Sequence, residues 1–353
     1  LVGSEMCIRD RYYISRLMDK KILESIKSIL SSKKKIILIP HSSPDADALG
    51  SCLALFHFFK DKHEVNVISP NEFTQILNFL PNSDKVLVYE SDREKSDVLF
   101  QEAEIIFTLD FNSLGRAKNV SYKISKSTAT IIMIDHHENP SDFATYMISN
   151  SEMSSTSEMI YDFITFLNPD KIDDDIATCL YTGIVADTGS FRFPSTTSKT
   201  LLVGSKLIDY GVDVTNIFEN LHNNFQFDRL KLLGTTINNF KRVGDLPILY
   251  TMLTDKDQKS SNFKKGDSEG FVNFGLSVEG ILCSVLFIEK KEEELIKISF
   301  RSKGDFKVNI FASKYFNGGG HIYAAGGISK LSLKETEEKF IKDIRQYLKE
   351  NYD

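Results

Sequence analysis

Four apolar runs in this chain end on ionisable side chains, and that arrangement restricts the fold more than any other feature. KKIILIPHSSPDADALGS carries His41, Asp45 and Asp47 just past its run, EIIFTLDFNS ends on Asp110, and TIIMIDHHENP ends on Asp135, His136 and His137. The fourth, LYTGIVADTGSF, ends on Asp187, and its apolar run has a helical period. A carboxylate or imidazole at the end of a buried strand is costly to desolvate unless something positive neutralises it. Parallel strands of an open α/β sheet carry their ligand crevice at the carboxyl ends. One shared site for divalent metal ions accounts for all four runs.

The rest of the pattern agrees with such a sheet. Ile22, Leu23, Ile26, Ile29 and Leu30 recur at helical spacing and predict a helix over 19–31. Strands are expected at 36–40, 65–69, 86–89, 105–109 and 131–134, with helices at 46–59, 156–167 and 174–186. Strands alternating with helices predict a mostly parallel, helix-covered sheet. Asp173, Asp174 and Asp175 fall where a helix N-terminus favours acid residues, which reads as capping. Beyond Phe193 helices are expected at 199–210, 214–222 and 227–240, followed by strand-rich sequence from Pro247. A polar loop is expected across 255–270 and an amphipathic helix across 333–348. The fold class is therefore α/β, with a first domain over 18–198, a helical linker over 199–240 and a smaller α/β domain over 241–353. Residues 1–17 have no period and read as a non-native or disordered tail, with Met18 as the start.

Charge and cysteine usage narrow the partners. The net charge of -6 provides no global positive field for long nucleic acid. Any phosphate-rich substrate would be held by bound metal and a few local cations, which favours short substrates over long polymers, long duplexes included. No apolar stretch approaches the roughly 18–20 residues that a membrane span needs, so no membrane partner is expected. Cys7, Cys52, Cys179 and Cys283 are scattered without a CxxC pair, which suits a reducing, cytoplasmic setting. The oligomeric state is left open, a homodimer included.

The motifs themselves carry the chemistry. In HSSPDAD the carboxylates of Asp45 and Asp47 alternate with alanines and can face one cleft, although either could simply cap the following helix. Asp110 alone is weak, because Asp often opens a turn. Imidazole beside carboxylate suits Mn²⁺, Fe²⁺, Co²⁺ or Zn²⁺ better than Ca²⁺. Two such ions about 3.5–4 Å apart would activate a shared water and clamp both sides of an in-line phosphoryl displacement. The expected nucleophile is then a bridging hydroxide, with no serine or cysteine nucleophile required. Further along, the glycines of GGGHIYAAG permit close backbone approach to a phosphate through Gly318, Gly319 and Gly320, with His321 following. Arg301, ending KISFRS, suits bidentate phosphate binding, with Asn309 as a minor aid and Arg116 as a second cation near Asp110. Phe191 and Phe193 read as core residues, and His57, His63 and His222 receive no role.

From Met18 onward these motifs resemble the DHH phosphoesterase family, and GGGHIYAAG resembles the glycine-rich motif of its associated C-terminal domain. Length and domain content are most similar to the family's short-oligonucleotide phosphodiesterases, the nano-RNase type that also acts as a phosphatase on 3'-phosphoadenosine 5'-phosphate. The resemblance implies two divalent ions, Mn²⁺ first among candidates. His41, Asp45 and Asp110 would bind one, and Asp47, Asp110, His136 and Asp187 the other. Asp110 would bridge them, Asp135 would orient an imidazole, and His137 would face the substrate. Arg301, Gly318, Gly319, Gly320, His321 and Arg116 would bind the rest of the substrate. A two-domain cleft would then limit substrate length.

The expected activity is hydrolysis of short oligoribonucleotides to nucleoside 5'-monophosphates, and of 3'-phosphoadenosine 5'-phosphate to AMP. Two alternatives stand beside it: a cyclic or linear dinucleotide phosphodiesterase in signalling, and a nucleotide-binding module without catalysis. The second predicts a broken ligand set, and every expected ligand is present.

Overall fold

The computed structural model describes residues 19–223, 226–264 and 266–351. The expected tail and Met18 lie outside the described residues. The chain divides into two compact units, Leu1–Asn224 and Phe225–Asp353. Among the described residues no helix is long and apolar enough to cross a membrane, and Cys52, Cys179 and Cys283 are buried free thiols.

The first unit is built on six strands: β1 (Lys35–Pro40), β2 (Glu64–Ser69), β3 (Leu87–Val88), β4 (Ile105–Leu109), β5 (Thr130–Asp135) and β6 (Tyr146–Ser149). Their order is β3-β2-β1-β4-β5-β6, and every pairing is parallel. The chain reverses its direction of travel across the sheet between β1 and β4, which is where open parallel sheets form ligand crevices. β1, β4 and β5 are almost wholly buried, as strands covered on both faces should be. Helices Ala46–Phe59, Thr156–Leu167 and Asp174–Asp187 share one core with the sheet. Asp173 caps the last of these, its Oδ1 accepting from the Ile176 N–H at 2.9 Å.

The second unit has a mixed sheet of β7 (Lys241–Arg242), β8 (Ile248–Leu253), β9 (Cys283–Lys290), β10 (Leu295–Ser302), β11 (Gly319–His321) and β12 (Ala324–Ser329). Its order is β11-β12-β10-β9-β8-β7, with β8 and β9 parallel and the other neighbours antiparallel. Helix Leu333–Asn351 covers this sheet by burying Phe340, Ile344 and Tyr347.

Four features differ from what the sequence predicts. The stretch 255–270 is not all loop: Asp255–Ser260 is helical, started by a reciprocal cap in which Thr254 and Asp257 bond each other's backbone N–H. β6 was not expected, because its four residues, YMIS, are too short for a clear period. Phe193 is 49% exposed rather than core. Its ring lies over Gly189, where a Cβ would come within 2.5 Å of it. The helices expected as a linker are divided between the units. Ser198–Asp209 buries Val203 and Leu207 in the first core, and Phe227–Asn238 buries Leu232 in the second unit.

Candidate metal centre

Strand register assembles the centre. Pro40 pairs with Leu109 across β1 and β4, and Leu109 pairs with Ile134 across β4 and β5. The next residues, His41, Asp110 and Asp135, therefore leave three adjacent strands side by side at their carboxyl ends. Asp110 has a left-handed backbone, φ +64°, which Asp tolerates better than most side chains. Its N–H still donates to Ile134 O at 3.1 Å, so the turn is tied to the sheet edge.

Two helices bring the remaining acids. Asp45 is the N-cap of Ala46–Phe59: its Oδ1 accepts from the N–H groups of Asp47 and Ala48, both at 3.0 Å. Its Oδ2 faces His41 Nε2 at 3.5 Å, so the cap reading and the ligand reading are compatible. Asp187 is the last residue of Asp174–Asp187. That helix lies close against Ala46–Phe59, because a Cβ on Gly50 would meet Cys179 O at 2.5 Å. An acid at a helix C-terminus sits against the negative end of the dipole, and needs a compensating cation.

The ligand atoms fall into three groups, each with its atoms within 4.8 Å of one another: His41, Asp45 and Asp110; Asp110, His136 and His137; Asp47, His136 and Asp187. Asp110 divides its oxygens between two histidines. Oδ2 is 3.4 Å from His41 Nε2, and Oδ1 is 3.5 Å from His136 Nε2. His136 Nε2 also lies 3.2 Å from Asp187 Oδ2. Both histidines are oriented through their other nitrogen. Nδ1 of His41 is 3.0 Å from Ser42 O, and Nδ1 of His136 is 3.3 Å from Met153 O. In the neutral tautomer that donates these bonds, each Nε2 lone pair confronts carboxylate oxygens. The buried His41 Nε2 has no hydrogen-bond partner. Acceptors converging on acceptors in a buried site fit a metal cation.

Without a cation, protons take its place. Burial disfavours charging His41, yet Asp110 and Asp45 outweigh it and raise the imidazole well above its ordinary range. The same contest, with Asp187 and Asp110 winning, lifts His136 to about 10. Burial, then Asp110 and Asp187, push the Asp47 carboxyl well up. Burial would also raise Asp110, but His41, His136 and His137 overturn that and hold it far below the carboxylate range.

Asp135 is committed to His137. Its Oδ1 accepts from His137 Nδ1–H at 2.8 Å and its Oδ2 from the His137 backbone N–H at 3.0 Å. The pair is buried and fixes the ring beside His136, with centroids 4.8 Å apart. Arg116 is half-buried; its carbonyl accepts from the Ser42 N–H at 2.8 Å, beside His41.

In the second unit Arg301 is half-buried, and burial lowers its pKa. Its NH1 donates to Phe300 O at 2.9 Å. Gly319–His321 form the exposed edge strand β11, with Gly318 just before it. Gly318 and Gly320 are required by close packing, since Cβ atoms there would meet Gly326 O at 1.9 Å and Ala324 O at 2.4 Å. A Cβ on Gly319 would meet nothing within 4 Å. Asn309 Oδ1 accepts from the Ile310 N–H at 2.9 Å.

Sequence reasoning gave no role to the first residues of helix Thr156–Leu167. The N–H groups of Thr156 and Ser157 donate to the two oxygens of Asp47, at 2.7 and 2.8 Å. The helix itself was expected; its contact with an acid 109 positions earlier had no local signal.

Comparison with known proteins agrees with this geometry. The model of the DHH family, N-terminal domain, matches residues 35–184, and that of the DHHA1 domain matches residues 245–350. A bifunctional oligoribonuclease and PAP phosphatase of Bacillus subtilis is 30% identical over 90% of this chain and 95% of its own length. The protein of the same name from Thermus thermophilus is 29% identical over 96% of each chain. Among solved structures, an exopolyphosphatase-related protein from Bacteroides fragilis is 36% identical and superposes with a TM-score of 0.91, covering 94% of this chain and 97% of its own.

Proposed function

The chain belongs to the DHH family of phosphoesterases, hydrolases of phosphoric ester bonds, and on that premise we propose that it cleaves short oligoribonucleotides to nucleoside 5'-monophosphates and converts 3'-phosphoadenosine 5'-phosphate to AMP. The observation that carries the reading is Asp110, which turns one oxygen to His41 and the other to His136. A carboxylate so divided is suited to hold two divalent ions, Mn²⁺ by choice. His41 and Asp45 would complete one ligand set, and Asp47, His136 and Asp187 the other. When bound, such ions make a water nucleophilic at neutral pH and neutralise charge that develops on the phosphoryl oxygens.

The remaining work falls to side chains. Asp135 holds His137 in one tautomer, with Nδ1–H directed at the carboxylate. The ring is thereby oriented to hydrogen-bond a substrate phosphate or leaving oxygen. Arg116, beside the first motif, is a cation for a phosphate oxygen. Arg301 is a half-buried guanidinium that donates to the Phe300 carbonyl, and its remaining N–H groups suit a phosphate oxygen. Gly318–Gly320 and His321 add an exposed backbone edge for the same anion. The net charge of -6 agrees with short substrates held by local cations.

Hydrolysis with Mn²⁺ of a dinucleotide, a pentanucleotide, a 24-mer, cyclic di-AMP and 3'-phosphoadenosine 5'-phosphate tests the proposal. Fast turnover of the first two and the last, with the 24-mer slow, is expected. A preference for cyclic di-AMP would replace the reading with a signalling phosphodiesterase. Binding without turnover of any of them would overturn catalysis itself.

A further inference from the structure

The two proposed ligand sets are joined by a residue that belongs to neither. Thr156 is fully buried, and its Oγ1 donates to Asp110 Oδ1 at 2.8 Å while its N–H donates to Asp47 Oδ2 at 2.7 Å. Ser157 N–H takes the other Asp47 oxygen at 2.8 Å. Upstream in the same segment, Met153 O receives His136 Nδ1 at 3.3 Å. Three candidate ligands are thus held by five consecutive residues. We propose that Thr156 is a positioning residue for the metal centre: its hydroxyl and amide fix the Asp110 and Asp47 carboxylates relative to each other before any ion binds.

The physics favours this division of labour. Asp47 and Asp110 are both buried acids, and like charges so placed repel each other. The positive end of helix Thr156–Leu167 lies against Asp47 and offsets part of that repulsion. The Thr156 hydroxyl commits one lone pair of Asp110 Oδ1 and so selects the rotation in which Oδ2 faces His41.

The segment is itself braced from behind. Glu158, buried, accepts from Ser154 Oγ and from Thr200 Oγ1, the latter at 2.9 Å, and Lys199 Nζ lies 3.6 Å from it while bonding Asp162. Gly183 leaves room on the other side, since a Cβ there would come within 2.8 Å of Asp47 Oδ1 and 2.1 Å of Ser157 Oγ. Partners that hold ligands in this way typically change metal affinity about 10–100-fold when removed.

The inference rests on the metal reading above, so its test separates the two. Mn²⁺ is titrated calorimetrically into the full-length wild type, Thr156→Val and Thr156→Ser, with thermal unfolding of each metal-free protein recorded alongside. Val keeps the shape and the N–H but loses the hydroxyl, and should weaken Mn²⁺ binding by about 10–100-fold. Raising Mn²⁺ should restore most of its kcat. Ser keeps the hydroxyl and should bind within about threefold of wild type. If Thr156→Val does not fold, Thr156→Ala carries the same expectation. Unchanged affinity in Val, or equal loss in Val and Ser, overturns the positioning role while leaving the metal reading intact. A wild type that binds no Mn²⁺ overturns both.

Discussion

The two units handle charge in opposite ways. The first gathers buried carboxylates and imidazoles at the ends of parallel strands until acceptors face acceptors. The second half-buries a guanidinium, Arg301, beside a neutral carbonyl and exposes a glycine edge strand. One is short of cations, and the other offers a cation beside open backbone. The contrast teaches that the arrangement of charge, more than the residues present, indicates what each unit is built to bind.

Breaking the first unit should have the largest effect. Asp110→Asn removes the charge shared by both histidines and should lower kcat on a dinucleotide by on the order of 10³-fold, as loss of a preorganised charge stabiliser does. Retained turnover at saturating Mn²⁺ would remove Asp110 from the centre. Arg301→Ala should act differently. Losing a charge-assisted bond of about 2–3 kcal/mol lowers kcat/KM roughly 30–160-fold, while Mn²⁺ affinity stays at the wild-type value. A fall in Mn²⁺ affinity would break the contrast between the units.

The pH dependence sharpens it. In the metal-free protein burial opposes the charge on His136, but Asp187 and Asp110 raise its pKa to about 10. The stability it lends is complete below about 6.5, the unfolded value, and is lost as pH rises through about 10. Metal-free protein should therefore melt progressively lower across that window. Mn²⁺ must displace the same proton, so its apparent affinity should climb about tenfold per pH unit for each proton released. Calorimetry in buffers of different ionisation enthalpy counts those protons; pH-independent binding would contradict the proposed ligand set.

The smallest effects belong to the glycine strand. Gly320 has φ +143° and would place a Cβ 2.4 Å from Ala324 O. Gly320→Ala should cost about 1–3 kcal/mol, whereas Gly319→Ala should stay within about 0.5 kcal/mol. Urea unfolding of the two variants distinguishes them, and equal losses would argue against the hairpin packing.

Legibility in the sequence followed the same division. Each strand end of the first unit is marked by an acid or histidine after an apolar run, so His41, Asp110 and Asp135 could be placed together before their register was known. Helices 46–59 and 156–167 are legible at the bounds the structure gives them, and in the structure Asp45 and Ser155 cap them. What stayed hidden depends on distant packing. Thr156 meets Asp47 only after a helix docks, and Gly183 looks like any helical glycine until Ser157 approaches it. Strand β11 at Gly319–His321 has no signal in the sequence because glycine disfavours strands; the pairing with β12 overrides that preference. Phe193 was taken for core because hydrophobicity alone says nothing of a ring resting on a glycine turn.

The most direct measurement is the number of Mn²⁺ ions bound per chain, by equilibrium titration of wild type and Asp110→Asn with native mass spectrometry as the readout. Two ions on wild type and fewer on the variant are predicted. One ion or none on wild type, or two on both proteins, would contradict a centre organised around Asp110.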